Sequence, residues 1–297
     1  KHKICKILLV ILAIFLCVAF YELLGICVAY KKQPEVSNTT KKETKNGSWN
    51  ECSENTERAV IIEKNPEALL QRVRLIKNAK KEIILSTFAF QSDESGKLIL
   101  GALHDAADRG VHIRLLVDGM ESWIDMEGNP YFYGLSSHEN VEIKLYNKAN
   151  PLKPWKMMGR MHDKYLIADG KRYILGGRNT HNYFLGDFPG HKNYDRDVLV
   201  VCDEPEKENS VNQLLEYFET IWEQEDSGYF HDNKKLANRK SVKNAVLELQ
   251  NGYQKYFEEN KERICDTDYT DETFETEKIA LVSNPIHTGS KEPVVWY

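Results

Sequence analysis

At 297 residues the chain is long enough for one large domain or two small ones. Its hydrophobic share of 41% is ordinary, and a formal net charge of −5 gives no overall basic character of the kind that marks a nucleic-acid binder. Six cysteines with no Cys-x-x-Cys pair indicate neither a disulfide framework nor a zinc site.

The first predicted element is Ile7 to Tyr30, a 24-residue apolar run with one carboxylate, Glu22, long enough to cross a bilayer. It lacks the short apolar core and small-residue cleavage site of a removed signal peptide, and reads as a retained single-pass anchor. Lys1, Lys3 and Lys6 precede it, while Lys31, Lys32, Lys41, Lys42 and Lys45 follow. That downstream excess favours a cytoplasmic catalytic part. Glu22 sits near the interface or marks a contact between copies. Residues 31–57 are polar, without apolar period, and read as a linker.

Beyond it the pattern alternates. Ala59 to Glu63 is a strand; Asn65-Pro66 opens a helix that carries Leu69, Leu70, Val73, Ile76 and Ala79 inward. Glu82 to Phe88 is a strand, Lys97 to Asp108 a helix ending near Gly110, and Val111 to Val117 a buried strand. Val141 to Tyr146 and Asp197 to Val201 add strands, Asn212 to Gln224 and Lys234 to Glu262 are helical, and Lys278 to Ser283 begins a further strand. This order implies an α/β layer sandwich.

Between these elements lies the most informative stretch, His162-Asp163-Lys164 through Asp169, then Gly176-Gly177-Arg178-Asn179. Asp169-Gly170 is a turn signal between Lys164–Asp169 and Arg172–Leu175, which predicts a hairpin. Residues two apart on a strand share a face, so His162 and Lys164 point the same way. The glycine pair lets backbone approach a bound group. One face then offers an imidazole, a fixed cation and an amide donor, which suits an anionic phosphorus centre. Charge supports this: residues 144–197 hold eleven Lys/Arg against five Asp/Glu, and residues 203–280 ten against twenty. A basic segment followed by an acidic helical one fits a site for anionic substrates. Pro154 to Arg160, with Trp155, Met157 and Met158, reads equally as a lipid-facing lip or a packed loop. His104, His112 and His138 read as structural or surface histidines, His181 and His191 as surface loop.

The six positions His162, Lys164, Asp169, Gly176, Gly177 and Asn179 match the spacing of the His-x-Lys signature of the phospholipase D superfamily. Ser86 to Gly96, Ala102 to Gly119 and the Arg196-Asp197 segment resemble the first half of a bacterial cardiolipin synthase. The resemblance covers residues 58–202 and implies a phospholipase D-type sandwich, a mixed sheet flanked by helices. It implies a transferase or phosphodiesterase of a bacterial cell membrane. His162 would be the nucleophile, giving a phosphohistidine; Lys164, Asn179 and Gly177 would hold the phosphate oxygens; Asp197, with Asp195 as fallback, would orient His162. Asp169 and Gly176 would be structural, and no metal or cofactor would be required.

Members of that branch have two halves, each with one motif, and the leaving alcohol takes its proton from the histidine of the second. Here one His-x-Lys exists. Residues 58–280 read as the first half, and 281–297, opening with Leu281 to Pro285, as the start of a second. The chain opens on Lys and is expected to be a piece of a longer polypeptide. A glycerophospholipid such as phosphatidylglycerol, the membrane, and a second half or homodimer partner are the expected partners, without nucleic acid. A membrane-tethered nuclease or phosphodiesterase dimer and a non-catalytic half are the alternatives.

Overall fold

The computed structural model describes residues 2–31, 57–156, 159–205, 208–231, 233–277 and 279–283. Most of the expected linker, Cys52, Met157 and Met158, and residues 284–297 of the expected second half lie outside these. The first element, α1 (His2–Lys31), contains one segment, Lys3–Val28, long and apolar enough to cross a membrane, and most of that segment is exposed.

The remainder is built on a sheet of nine strands: β1 (Glu57–Ile62), β2 (Glu82–Thr87), β3 (His112–Asp118), β4 (Val141–Tyr146), β5 (Tyr165–Ala168), β6 (Arg172–Gly176), β7 (Asp197–Val201), β8 (Ser227–Tyr229) and β9 (Phe274–Thr276). Their spatial order is β8-β4-β3-β2-β5-β6-β7-β1-β9. β2, β3 and β4 run parallel, and every other pairing is antiparallel. The helices are α2 (Asn65–Asn78), α3 (Glu94–Asp108), α4 (Gly119–Asp125), α5 (Pro130–Ser136), α6 (Ser210–Trp222), α7 (Lys240–Glu259) and α8 (Lys261–Cys265).

Strand periodicity sorts the core into two layers. Ile83 and Leu85 of β2, with Ile113, Leu115 and Val117 of β3, pack beneath α2, α3, α5 and α7. Their alternates Ile84 and Leu116 join Val211, Leu214, Phe218 and Trp222 of α6 on the opposite face. A mixed sheet between helical layers results, the α/β sandwich that the pattern of elements implies.

Local chemistry explains the joints. Asp93, Asp118 and Asn129 accept backbone N–H groups at the starts of α3, α4 and α5, and Pro66 and Pro130 sit in the first turns of α2 and α5. At the β5–β6 hairpin Asp169 adopts φ +54° and its carboxylate accepts the backbone N–H groups of Lys80, Lys81 and Glu82 at 2.7–3.1 Å. Asp169 therefore staples the hairpin to the entrance of β2, at the end of the sheet away from His162.

One expected strand is corrected. The described part of the Lys278–Ser283 strand, residues 279–283, is irregular; the strand forms earlier, at Phe274–Thr276, and takes the free edge of β1. With that edge occupied, Ile279 and Leu281 pack against the α6 layer, and Leu281 N–H donates to Gln213 Oε1 at 2.9 Å.

Candidate functional site

The parallel strands β2, β3 and β4 end where β5 and β7 begin and β6 ends, because Ser86 pairs with Tyr165, Tyr165 with Leu175 and Gly176 with Asp197. The motif residues thus gather on one end of the sheet. His162 and Lys164 lie in the extended lead-in to β5 rather than within it, since regular pairing starts at Tyr165. The alternation still holds: Asp163 turns inward, where Tyr217 Oη donates to it at 2.9 Å and burial raises its pKa.

His162 is exposed, and its ring meets Phe88 edge-on at 4.8 Å. Its pKa is lowered from the ordinary 6.5, by partial burial and then by the neighbouring Lys164 charge. The imidazole is therefore neutral at neutral pH, the state needed for attack. Lys164 is buried beneath it; its Nζ donates to the His162 carbonyl at 2.7 Å and stands 5.4 Å from the Phe88 ring centre. Desolvation pushes its pKa down to about 8, with Asp163 and Asp195 opposing.

Asn179 is fixed by the loop following β6. Its Oδ1 accepts the Ala89 N–H at 3.2 Å, which leaves the amide NH₂ as the donor end for a ligand. Thr180 pins the same loop, donating to Ala89 O at 3.0 Å and accepting from Gln91 N–H at 3.2 Å. The glycines before Asn179 are required by close approach. A Cβ on Gly176 would stand 2.1 Å from Asp197 Oδ1, and one on Gly177 would stand 2.1 Å from Asp195 Oδ2.

Asp197 is where the expectation changes. Its carboxylate, fully buried, lies 2.9 Å from Arg72 Nη1 and 3.3 Å from Arg178 Nη1. Arg178 in turn donates to Asn65 Oδ1, Ile62 O and Glu63 O. Asp197 is thus the counter-ion of two buried arginines that join β1, α2 and β7, a structural task in place of the expected orientation of His162. The fallback, Asp195, lies against Gly177 and its charge reaches Lys164.

Two site neighbours were not legible in the motif. Asp118, fully buried at the end of β3, caps α4 and also accepts the Met161 N–H at 3.1 Å, one residue before His162. It is ion-paired with Arg160, whose pKa burial lowers to about 10 and whose terminal nitrogens are buried without a well-aligned hydrogen bond. The Asp118-Gly119 pair reads in sequence only as the end of a strand. Its capping role is the signal that was available.

Of the remaining candidates, His181 is buried, and His191 bonds Asn193. Pro154 and Lys156 are packed, the latter ion-paired with Asp226 at 2.6 Å, so this part of the expected lip is a packed turn. Cys202 is buried and Cys265 is exposed.

A mixed sheet between helices with a histidine–lysine–asparagine cluster at one end defines a phospholipase D-type phosphotransferase architecture. Residues 72–222, half of the chain, match the family model described as cardiolipin synthase, PLD-like domain, and the chain belongs to this family. It is 30% identical over 212 residues to an uncharacterised protein of Helicobacter pylori (strain J99), covering 66% of the chain and 39% of that protein. Against cardiolipin synthase C of Escherichia coli K12 it is 29% identical over 171 residues, covering 53% and 34%. The chain thus spans under half the length of these relatives. A solved structure of phosphatidylserine synthase from Haemophilus influenzae shares the fold, with TM-score 0.50 and 18% identity over 74% of this chain and 48% of that one.

Proposed function

We propose that the chain is the membrane-anchored, first-motif half of a phospholipase D-type phosphatidyltransferase or phosphodiesterase acting on glycerophospholipids. One observation carries the reading: an exposed imidazole of lowered pKa, His162, stands beside a partly desolvated ammonium, Lys164, and near an amide whose oxygen is already engaged, Asn179. A ring nitrogen of His162 attacks phosphorus, the P–O bond to the leaving alcohol breaks, and a phosphohistidine forms. Lys164 and the Asn179 NH₂ hold the non-bridging oxygens, where charge develops in the transition state. Asp195 orients His162. A second His-x-Lys histidine, from another half of the same polypeptide or from a second copy, protonates the leaving alcohol. It then accepts the proton of the water or alcohol that releases His162.

The substrate class is tested with phosphatidylglycerol vesicles and the polypeptide carrying both motifs. Cardiolipin and glycerol are the expected products of transfer, and phosphatidic acid that of hydrolysis. Cleavage of DNA with phosphatidylglycerol left intact would refute the lipid reading in favour of a tethered nuclease.

The two pKa shifts set a pH profile. His162 must be neutral, so kcat/KM rises as pH climbs through a pKa below 6.5. Lys164 must be charged, so kcat/KM falls again as pH rises through about 8. Lys164→Arg should carry the alkaline limb upward and leave the acid limb in place; an unmoved alkaline limb would remove Lys164 from that assignment.

A further inference from the structure

Outside α1, Trp123 (66% exposed) and Ile124 (69%) on α4 and Leu152 (77%) in the loop after β4 are among the most exposed large apolar side chains, and Trp123 lines one cavity with Pro151, the residue before Leu152. Both segments meet the end of α1. Tyr21 Oη donates to Leu152 O at 2.9 Å, and Gly25 packs so tightly on Pro154 that a Cβ there would stand 2.4 Å from its Cγ. Glu22 and Ile26 of α1 face Met120, Trp123 and Pro151 across a cavity of about 560 Å³. Glu22 therefore has a protein-lined outlet instead of lipid.

Depth follows from helix geometry. Lys3–Val28 is 26 residues, about 39 Å at 1.5 Å per residue, whereas a hydrocarbon core of about 30 Å needs about 20. A core entered near Lys3, with Lys3 and Lys6 reaching back to the headgroups, is left near Tyr21 and Glu22. Tyrosine at that boundary is the usual interfacial residue. The loop that Tyr21 holds must then lie at headgroup depth, with α4 beside it.

We infer that Trp123, Ile124 and Leu152 form a second membrane contact, which seats the sheet domain on the headgroup layer of the bilayer that α1 crosses. The consequence reaches the site. Asp118, the cap of α4, also holds Met161 N–H, so the backbone beside the nucleophile is tied to the helix that makes the bilayer contact.

This inference rests on the anchoring proposed above, and the test separates the two. In a chain whose cysteines other than buried Cys202 are serine, a polarity-sensitive fluorophore is placed by Ile124→Cys, Leu152→Cys, Leu247→Cys, Phe274→Cys or Leu12→Cys. Each variant is reconstituted in vesicles of phosphatidylethanolamine and phosphatidylglycerol, with or without headgroup-spin-labelled lipid. Positions 124 and 152 should emit to the blue of 247 and 274 and lose most of their intensity to the spin label, while 247 and 274 lose little. A probe at 12 in an apolar environment, with 124 and 152 behaving like 247 and 274, overturns the second contact and leaves the anchor standing. A probe at 12 in water overturns both. Melting temperatures equal to that of the parent chain show that the variants are folded.

Discussion

Replacing His162 by alanine should reduce turnover by about 10⁴-fold or more while leaving the fold intact. The size follows from deletion of nucleophiles in covalent enzymes, where what remains comes from binding and charge stabilisation alone. The fold survives because the imidazole is exposed and touches Phe88 by its edge, so its loss opens no core cavity and strands no buried polar group. Lys164→Ala is less severe, about a hundredfold, because it removes one charge aimed at the phosphate and keeps the nucleophile. The measurement is kcat/KM beside a melting curve for each variant. A His162→Ala protein with turnover within tenfold of wild type would mean that another group attacks phosphorus.

The second large effect is on stability. Asp197→Ala leaves Arg72 and Arg178 facing one another in a site where their side chains are 5% and 0% exposed. Breaking a buried ion pair by removing one partner costs about 3–5 kcal/mol, since the remaining charge has no counter-ion and no water. Domains have about 5–15 kcal/mol in total, so the variant should melt far below the parent or fail to accumulate. Activity is lost with the fold. The alternative role makes a different prediction: if Asp197 orients His162, Asp197→Asn should melt near the parent temperature and be defective in kcat alone. Denaturant unfolding with kinetics on the same samples decides between the two.

Much of the scaffold was legible because it follows from pattern. The strand at Val141–Tyr146 and the one at Asp197–Val201 form with the bounds that their apolar runs give, and α2 starts at the Asn65-Pro66 signal. α5 begins with the same Asn-Pro signal, at Asn129-Pro130, and could have been read from it. β8 and β9 could not: each is three residues long, and each exists because a distant strand, β4 or β1, presents an open edge. The occupation of β1 by β9 is also why the apolar run near Leu281 packs as an irregular segment.

In the site, spacing alone brought His162, Lys164, Gly177 and Asn179 to one end of the sheet. Spacing could not assign the carboxylates. Asp195 and Asp197 are two residues apart and chemically alike, and what distinguishes them is the convergence of Arg72 and Arg178, far apart in sequence, on the second. Asp169 shows the converse, since its place at a turn already implied a structural task and three backbone N–H groups converge on it.

The most direct measurement uses a lipid phosphodiester with a leaving group such as nitrophenolate, which departs without a general acid. The chain is mixed with this substrate, isotopically labelled at phosphorus, and quenched at intervals. A burst of nitrophenolate should accompany label on the His162 peptide that is stable to alkali and released by acid, with Lys164→Ala slowing its formation and His162→Ala abolishing it. Label on any other residue, or nitrophenolate released with no labelled protein at any quench time, would contradict the phosphohistidine at His162.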